Sequence, residues 1–369
     1  MPPKIYKAKT LSLYLTQYCP LKCKYCIFGS QEKKHMPTEH AIQRIEEAHN
    51  LGIPEVVFTG GEPTLHPDFL NIFRAARKEG MRIILVTNGI PIKDAILEEV
   101  TEYINSQFFF SLDCFDEKIN DKYRDKNAYK YVTNTINKVR KYNAKKTIGV
   151  NSILVEETLD VLPQTTDFLL NKLKVNVQII ERVFRIGNGE NTPEEYLIKD
   201  INKYFSIINS LKEKYGDKVK TYTCDLKKCI LNNPHLFYLL IFPDKNLYLC
   251  CNIPDIRMKI GDETMSLQDI MQYENVAKVG NKINKYFFER SGQIRKEKGI
   301  FGCGECIEEY KRLRDSGELD KIFSTENTEI ELKKLEEQSL ESKPSPPPKS
   351  EIDEMMEHFE MEHDEMLDF

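Results

Sequence analysis

The sequence contains no apolar run approaching the about 18 residues that a membrane-spanning helix needs. Its N-terminus, MPPKIYKAKT, leads into a strand-like segment without the apolar stretch of a secretory signal. These absences point away from the membrane and from export, so a cytoplasmic location is expected. There is also no concentrated Lys/Arg stripe with interleaved aromatics, the footprint of nucleic-acid binding. The histidines give no ligand spacing: His66 lies in LHPDF at a helix start, and His40, His49, His235, His358 and His363 are scattered. None is assigned a catalytic role.

The net charge of -5 hides an asymmetry. Between Thr325 and Phe369 there are 15 acidic and 4 basic side chains, which leaves the rest of the chain mildly basic at about +6. That excess is spread over roughly 320 residues, too thin for a nucleic-acid partner. With 369 residues, of which 40% are hydrophobic, the chain can bury the core of one large domain or two smaller ones. The ten cysteines lack a secretory context, so metal or cluster binding explains them better than a disulfide framework does.

From Leu11 to about Val183, β-rich apolar runs alternate with amphipathic stretches. The runs are LSLYLT, EVVFTG, RIILVTNG, FFFSLD, TIGVNSIL and VNVQIIERV. Six β-then-α units predict a parallel sheet, and periodicity alone leaves open a full barrel, a partial barrel or a doubly wound sheet. In each case ligands belong at the C-terminal ends of the strands. Cys19 follows the first run, Gly60 and Gly61 the second, Asn88 the third, and Asp113 ends the fourth.

Beyond Asn188, TPEEYLIKDINKYFSIINSLKEKYG reads as one long helix. Short segments follow, bearing Cys224, Cys229, Cys250, Cys251, Cys303 and Cys306, and they suggest a second, metal-bearing domain. The expected division is 1–190, 191–324 and an acidic tail, 325–369. The tail, with SKPSPPPKS and a Met-rich acidic end, is too poor in large apolar residues to fold alone. Ile352, Met355, Met356 and Phe359 fall at helical spacing, a short apolar stripe able to meet a protein partner, although a purely solvated tail is the simpler expectation.

The stretch TQYCPLKCKYCIFG spaces Cys19, Cys23 and Cys26 as C-x3-C-x2-C on one tight loop. Three thiolates there reach three irons of a cubane cluster and leave the fourth iron open to a ligand. A zinc knuckle is the alternative, but zinc takes four ligands, and His35 is the one histidine that follows closely.

At these residues the chain resembles the radical S-adenosylmethionine superfamily, whose motif C-x3-C-x-aromatic-C is met by Cys19, Cys23, Tyr25 and Cys26. TGGEPTLHPDF is similar to the family's Gly-Gly-Glu-Pro motif and matches it at Gly60, Gly61, Glu62 and Pro63. VTNG and SLDCFDEKINDKYR resemble two further family patterns and carry over Asn88, Ser111 and Arg124. Asn151 and Ile153, in GVNSILVEE, sit where the family's fifth strand lines the adenine pocket, with ordinary packing an equal account of Ile153. The resemblance spans about Lys9 to Val183 and implies a partial (β/α)6 TIM-like barrel. It also implies a [4Fe-4S] cluster at the barrel mouth, bound S-adenosylmethionine with Tyr25 near its adenine, and a reducing partner such as flavodoxin or ferredoxin. The implied chemistry is reductive cleavage to a 5'-deoxyadenosyl radical that abstracts a substrate hydrogen atom.

Cys229, Cys250, Cys303 and Cys306 resemble the smaller auxiliary-cluster domain called Twitch, a reduced SPASM domain, and imply a second [4Fe-4S] cluster. Cys251 stands as an alternative to Cys250 and Cys224 to Cys229, and structural zinc fits the same four thiolates. Cys114, just after SLD, reads as a buried strand-end residue, with hydrogen-atom donation the other role open to it.

The leading expectation is oxidation, by dehydrogenation, of a small molecule or peptide. Peptide maturation is the near rival, against which Cys19 lies close to the start of the chain, with no leader-binding segment ahead of it. The superfamily's molybdenum-cofactor enzyme ends in a glycine-rich tail, whereas this chain ends DEMLDF. Outside the class stand a non-catalytic electron carrier and a zinc-binding interaction protein, neither of which needs Gly-Gly-Glu-Pro or an open iron.

Overall fold

The computed structural model describes residues 8–28, 31–185, 189–221, 238–248, 258–272 and 303–324, with single positions at 255, 276, 279, 282 and 286. The chain divides into two compact units, Met1–Leu319 and Asp320–Phe369. The site lies in the first unit. The second falls almost wholly outside the described residues, and with it the expected tail and its Ile352, Met355, Met356 and Phe359 stripe.

Six strands run parallel and adjacent in chain order: β1 (Thr10–Thr16), β2 (Glu55–Gly60), β3 (Arg82–Thr87), β4 (Ser106–Ser111), β5 (Ile148–Leu154) and β6 (Val177–Arg182). Helices return the chain between them: α1 (Thr38–Asn50), α2 (Phe69–Lys78), α3 (Asp94–Glu102), then α4 (Glu117–Tyr123) with α5 (Ala128–Tyr142), then the short α6 (Glu156–Leu159) with α7 (Leu162–Asp167). Parallel strands need such crossovers, and these strands are the six read from the sequence. Four more strands extend the sheet at its edges. β7 (Val219–Thr221) pairs in parallel with β6, and β8 (Tyr238–Ile241) in parallel with β1. β9 (Leu247–Tyr248) and β10 (Lys259–Gly261) then continue antiparallel. Among the described residues the order is β10-β9-β8-β1-β2-β3-β4-β5-β6-β7, in which the outermost strands do not pair and the barrel is incomplete.

Alternation along each strand separates two faces. The rows under the helices are sealed: Val56, Phe58, Ile83, Phe108, Phe110, Ile148, Val150 and Ile180 are all 0% exposed. Burying each such side chain contributes about 1.5–3 kcal/mol. The opposite row, Val57 and Thr59 on β2, Ile84 and Val86 on β3, Phe109 and Ser111 on β4, Asn151 and Ile153 on β5, is only half-buried. This is the inner wall of the barrel. Phe109 confirms the assignment, because a Cβ on its register partner Gly149 would lie 2.4 Å from the Phe109 ring.

The long helix read over residues 192–216 is shorter in the structure. Residues Glu194–Tyr196 form one 3-10 turn, Leu197 is extended, and the helix α8 is confined to Ile201–Tyr215. Asp200 accounts for the late start, since its side chain accepts from the Lys203 amide and caps the helix there. Later in the chain come α9 (Leu267–Ile270) and α10 (Cys303–Asp315). No helix among the described residues is long and apolar enough to cross a membrane.

Candidate active site

The cysteine loop leaves β1 at a register shift between Tyr14 and Thr16, where Thr16 pairs with Gly60. Such an irregularity re-aims the chain, here across the C-terminal ends of β1 and β2. Gly60 has φ +129, a conformation side chains rarely adopt, and a Cβ there would stand 2.4 Å from the Thr16 carbonyl oxygen. On Gly61 a Cβ would stand 2.3 Å from the Tyr18 carbonyl oxygen. The paired glycines therefore let the β2 end lie flat against the start of the cysteine loop. The Gly61 amide donates to Thr16 O at 2.7 Å and the Glu62 amide to Tyr18 O at 2.8 Å.

Glu62 is completely buried. Its carboxylate accepts from the Thr64 hydroxyl at 2.6 Å, the Thr87 hydroxyl at 2.9 Å and the Asn88 amide at 2.9 Å. Burial raises its pKa, and these donors, led by Thr64, pull it back. The carboxylate thus joins the ends of β2 and β3 and fixes Asn88. The Asn88 side chain in turn donates from Nδ2 to the Cys19 sulfur at 3.2 Å. Pro63 is buried and opens the 3-10 turn Pro63–Leu65 that follows.

On the other side of the loop a second network forms. Asp113 is buried and accepts from Arg124 Nη2 at 2.6 Å, from the Ile153 amide at 2.8 Å and from the Tyr25 hydroxyl. The Arg124 guanidinium lies 5.8 Å from the centre of the Tyr25 ring. Burial raises the Asp113 pKa, and Arg124 opposes that. The Lys24 amide donates to Tyr123 O at 2.9 Å, the Thr192 hydroxyl donates to Lys24 O at 3.1 Å, and a Cβ on Gly189 would touch the Tyr25 carbonyl. The turn from Cys23 to Cys26, closed by the Cys26 amide on Cys23 O at 3.1 Å, is clamped by the end of α4 on one flank and by residues 189–192 on the other.

Cys19 is buried, Cys23 and Cys26 are half-buried, and none is in a disulfide. Burial pushes the Cys19 and Cys23 thiols up to about 12; nearby Glu62 adds to the rise at Cys19, whereas Arg124 opposes it at Cys23. Among the described residues no three His, Cys, Asp or Glu side chains converge as ligands of one ion. A cubane cluster places its thiolates on separate irons, so three sulfurs carried around one tight loop suit a cluster rather than a single zinc. The Asn88 donor on Cys19 is the kind of outer contact that orients cluster ligands.

Ser111 ends β4 and pairs with Asn151 of β5, both on the inner wall. The Oδ1 atom of Asn151 is buried without a hydrogen-bond partner. Cys114 lies on the helix side, fully buried, where the Thr165 hydroxyl approaches its sulfur at 3.9 Å, in line with its reading as a packed strand-end residue. His66 contacts Met36 O through Nε2 and accepts the Asp68 amide on Nδ1, a structural role. Cys303 and Cys306 lie in the first turn of α10. Cys224, Cys229, Cys250 and Cys251 lie outside the described residues. The sequence reading did not assign roles to Asp113 or Glu181. For Asp113 the signal was its place at a strand end; for Glu181 it was an ionisable residue closing the apolar run VQII.

Parallel strands whose C-terminal ends surround a three-cysteine loop make a candidate site for an iron-sulfur cluster. Residues 13–169 match the model of the Radical SAM superfamily, and the chain carries a radical SAM domain, with a [4Fe-4S] cluster and S-adenosylmethionine as its cofactors. Among curated proteins it is similar to the tungsten-containing aldehyde ferredoxin oxidoreductase cofactor-modifying protein of Pyrococcus furiosus, 26% identical over 51% of this chain and 53% of that one. It is also similar to Fe-coproporphyrin III synthase of Methanosarcina barkeri, 28% identical over 50% of this chain and 46% of that one. The chain thus spans about half the length of these curated relatives. Among solved structures, Streptococcus suis SuiB bound to S-adenosylmethionine superposes with a TM-score of 0.61 at 16% identity, covering 74% of this chain and 68% of that one. Native anSMEcpe with bound AdoMet and the Cp18Cys peptide gives 0.61 at 16% identity, covering 85% and 99%. At these identities the likeness is one of fold.

Proposed function

We propose that the protein is a radical S-adenosylmethionine oxidoreductase that dehydrogenates a small molecule or a peptide. The observation that carries this reading is the cysteine loop held rigidly at the mouth of an open inner wall. Cys19, Cys23 and Cys26 are the residues to hold the cluster. Bound there, cluster and S-adenosylmethionine together supply a carbon radical that takes one hydrogen atom from the substrate. Gly60 and Gly61 give backbone access to the methionyl end of the cofactor, Glu62 and Asn88 keep that wall and Cys19 in place, and Tyr25, Ser111, Arg124 and Asn151 bound the remainder of its pocket. Their task is positioning and exclusion of water.

Oxidation requires a further electron and a proton to leave the substrate. We assign the electron to a second cluster held by Cys229, Cys250, Cys303 and Cys306 in a domain running from about residue 191 to 324, with flavodoxin or ferredoxin as the reducing partner in the cytoplasm. A peptide substrate is favoured by SuiB, solved with a precursor peptide, and by anSMEcpe, solved with peptides. The test is anaerobic, reconstituted and reduced protein given S-adenosylmethionine and a uniformly deuterated extract, with 5'-deoxyadenosine read by mass. Deuterium in that product is expected. Replacing Cys303 and Cys306 by Ala should keep cleavage but stop formation of the oxidised product. Unlabelled 5'-deoxyadenosine alone, whatever the extract fraction, would refute the proposal.

A further inference from the structure

Glu181 ends β6 and pairs in register with Ile153 of β5, so its side chain belongs to the inner wall. Its neighbour Arg182 turns the other way, and the Arg182 guanidinium lies 5.5 Å from the centre of the Tyr204 ring. Among the described residues no hydrogen bond or ion pair is made by the Glu181 carboxylate, in contrast with Glu62 and Asp113. Burial alone lifts its pKa, to about 7. Glu181 is half-buried, and one diagonal step across the sheet stands Asn151, whose Oδ1 is buried and unpartnered, with Ser111 beside it. The three side chains form a polar arc over the ends of β4, β5 and β6, and both atoms left without a partner, the Glu181 carboxylate and Asn151 Oδ1, are acceptors.

A half-buried carboxylate without a protein partner on the inner wall is open to a ligand that brings positive charge and hydrogen-bond donors. Ser111 and Asn151 lie toward the cysteine loop and are proposed to face the cofactor, whereas Glu181 lies one strand further from it, on the substrate side.

We propose that Glu181 is a substrate-binding carboxylate that holds a cationic group, an ammonium or guanidinium, of the molecule being oxidised. The assignment rests on the radical-enzyme reading above and adds the charge class of its substrate.

The deuterated extract is passed over a cation exchanger at neutral pH, and the retained and unretained fractions are given separately to the reconstituted enzyme with S-adenosylmethionine. Deuterium should enter 5'-deoxyadenosine with the retained fraction. Glu181→Gln should raise the amount of that fraction needed for half-maximal labelling by about tenfold or more, and Glu181→Asp by less. Thermal unfolding verifies that both variants fold. A readout without chemistry comes from equilibrium dialysis of the retained fraction against cluster-free protein, where wild type should concentrate a cationic solute that Glu181→Gln does not. Labelling by the unretained fraction, or an unchanged half-saturation in Glu181→Gln, would overturn the assignment. If wild type makes no 5'-deoxyadenosine with any fraction, the radical reading fails, and dialysis then decides separately whether Glu181 binds a cation.

Discussion

Two parts of the barrel mouth treat their polar groups in opposite ways. Around the cysteine loop every carboxylate is saturated: Glu62 by Thr64, Thr87 and Asn88, Asp113 by Tyr25, Arg124 and the Ile153 amide. Across the inner ends of β4, β5 and β6 the arc of Ser111, Asn151 and Glu181 makes almost no use of its hydrogen-bonding capacity, and Asn151 Oδ1 is buried without a partner. Natural proteins rarely leave buried polar atoms unpaired without a reason. The first region uses its carboxylates to hold the fold, although Arg124 Nε there is also buried without a partner, and the second region is the one proposed to meet a ligand. Mutations should therefore cost stability in the first region and binding in the second.

The largest stability effect is expected from Asp113→Ala, which leaves Arg124 buried without its partner. Breaking a buried pair from one side costs about 3–5 kcal/mol, readable as a lower urea midpoint with the slope retained. Glu62→Ala strands the Thr87 hydroxyl and the Asn88 amide, and should cost on the order of 3 kcal/mol in the same titration. It should also lower the iron retained per chain after reconstitution, because Asn88 no longer holds Cys19.

The pH dependence of stability discriminates the regions further. Burial lifts Glu181 from its ordinary 4.5 to about 7, so between those values the folded state binds the proton more tightly than the unfolded chain. Stability contributed in this way is fully present below about 4.5 and is lost as pH rises through about 7. The loss is on the order of 1–3 kcal/mol, and Glu181→Gln should remove that slope. Nearby Tyr204, whose pKa burial raises from its ordinary 10, does not change charge in that window. The smallest effect should come from Asn151→Ala, within about 0.5 kcal/mol of wild type, since no protein partner is lost. A large destabilisation there would erase the contrast.

The strands and the motif loops were legible because they are local. Each of the six apolar runs became a strand whose ends lie within two residues of its reading, and Cys19, Gly60 and Asn88 lie at the strand ends where the runs placed them. The start of α8 was not legible, because Asp200 as a cap competes with a continuous helical pattern only once the chain is folded. Nor was the inward engagement of Glu62, whose donors on Thr87 and Asn88 lie 25 and 26 residues away. The pairing of Tyr25 with Asp113 spans 88 positions. Glu181 depended on register, since a shift of one residue would have turned it from the inner wall to the helix side. Of the second cysteine set, the structure describes only the backbone of Cys303 and Cys306.

The central claim is that Cys19, Cys23 and Cys26 hold the cluster that cleaves S-adenosylmethionine. The direct measurement compares reconstituted wild type with the variant carrying all three as Ala, reading 5'-deoxyadenosine formed under dithionite together with iron bound per chain. The account predicts that the variant forms none above background and loses the iron of one cluster, with its fold intact by circular dichroism. Undiminished 5'-deoxyadenosine from the folded variant would contradict it.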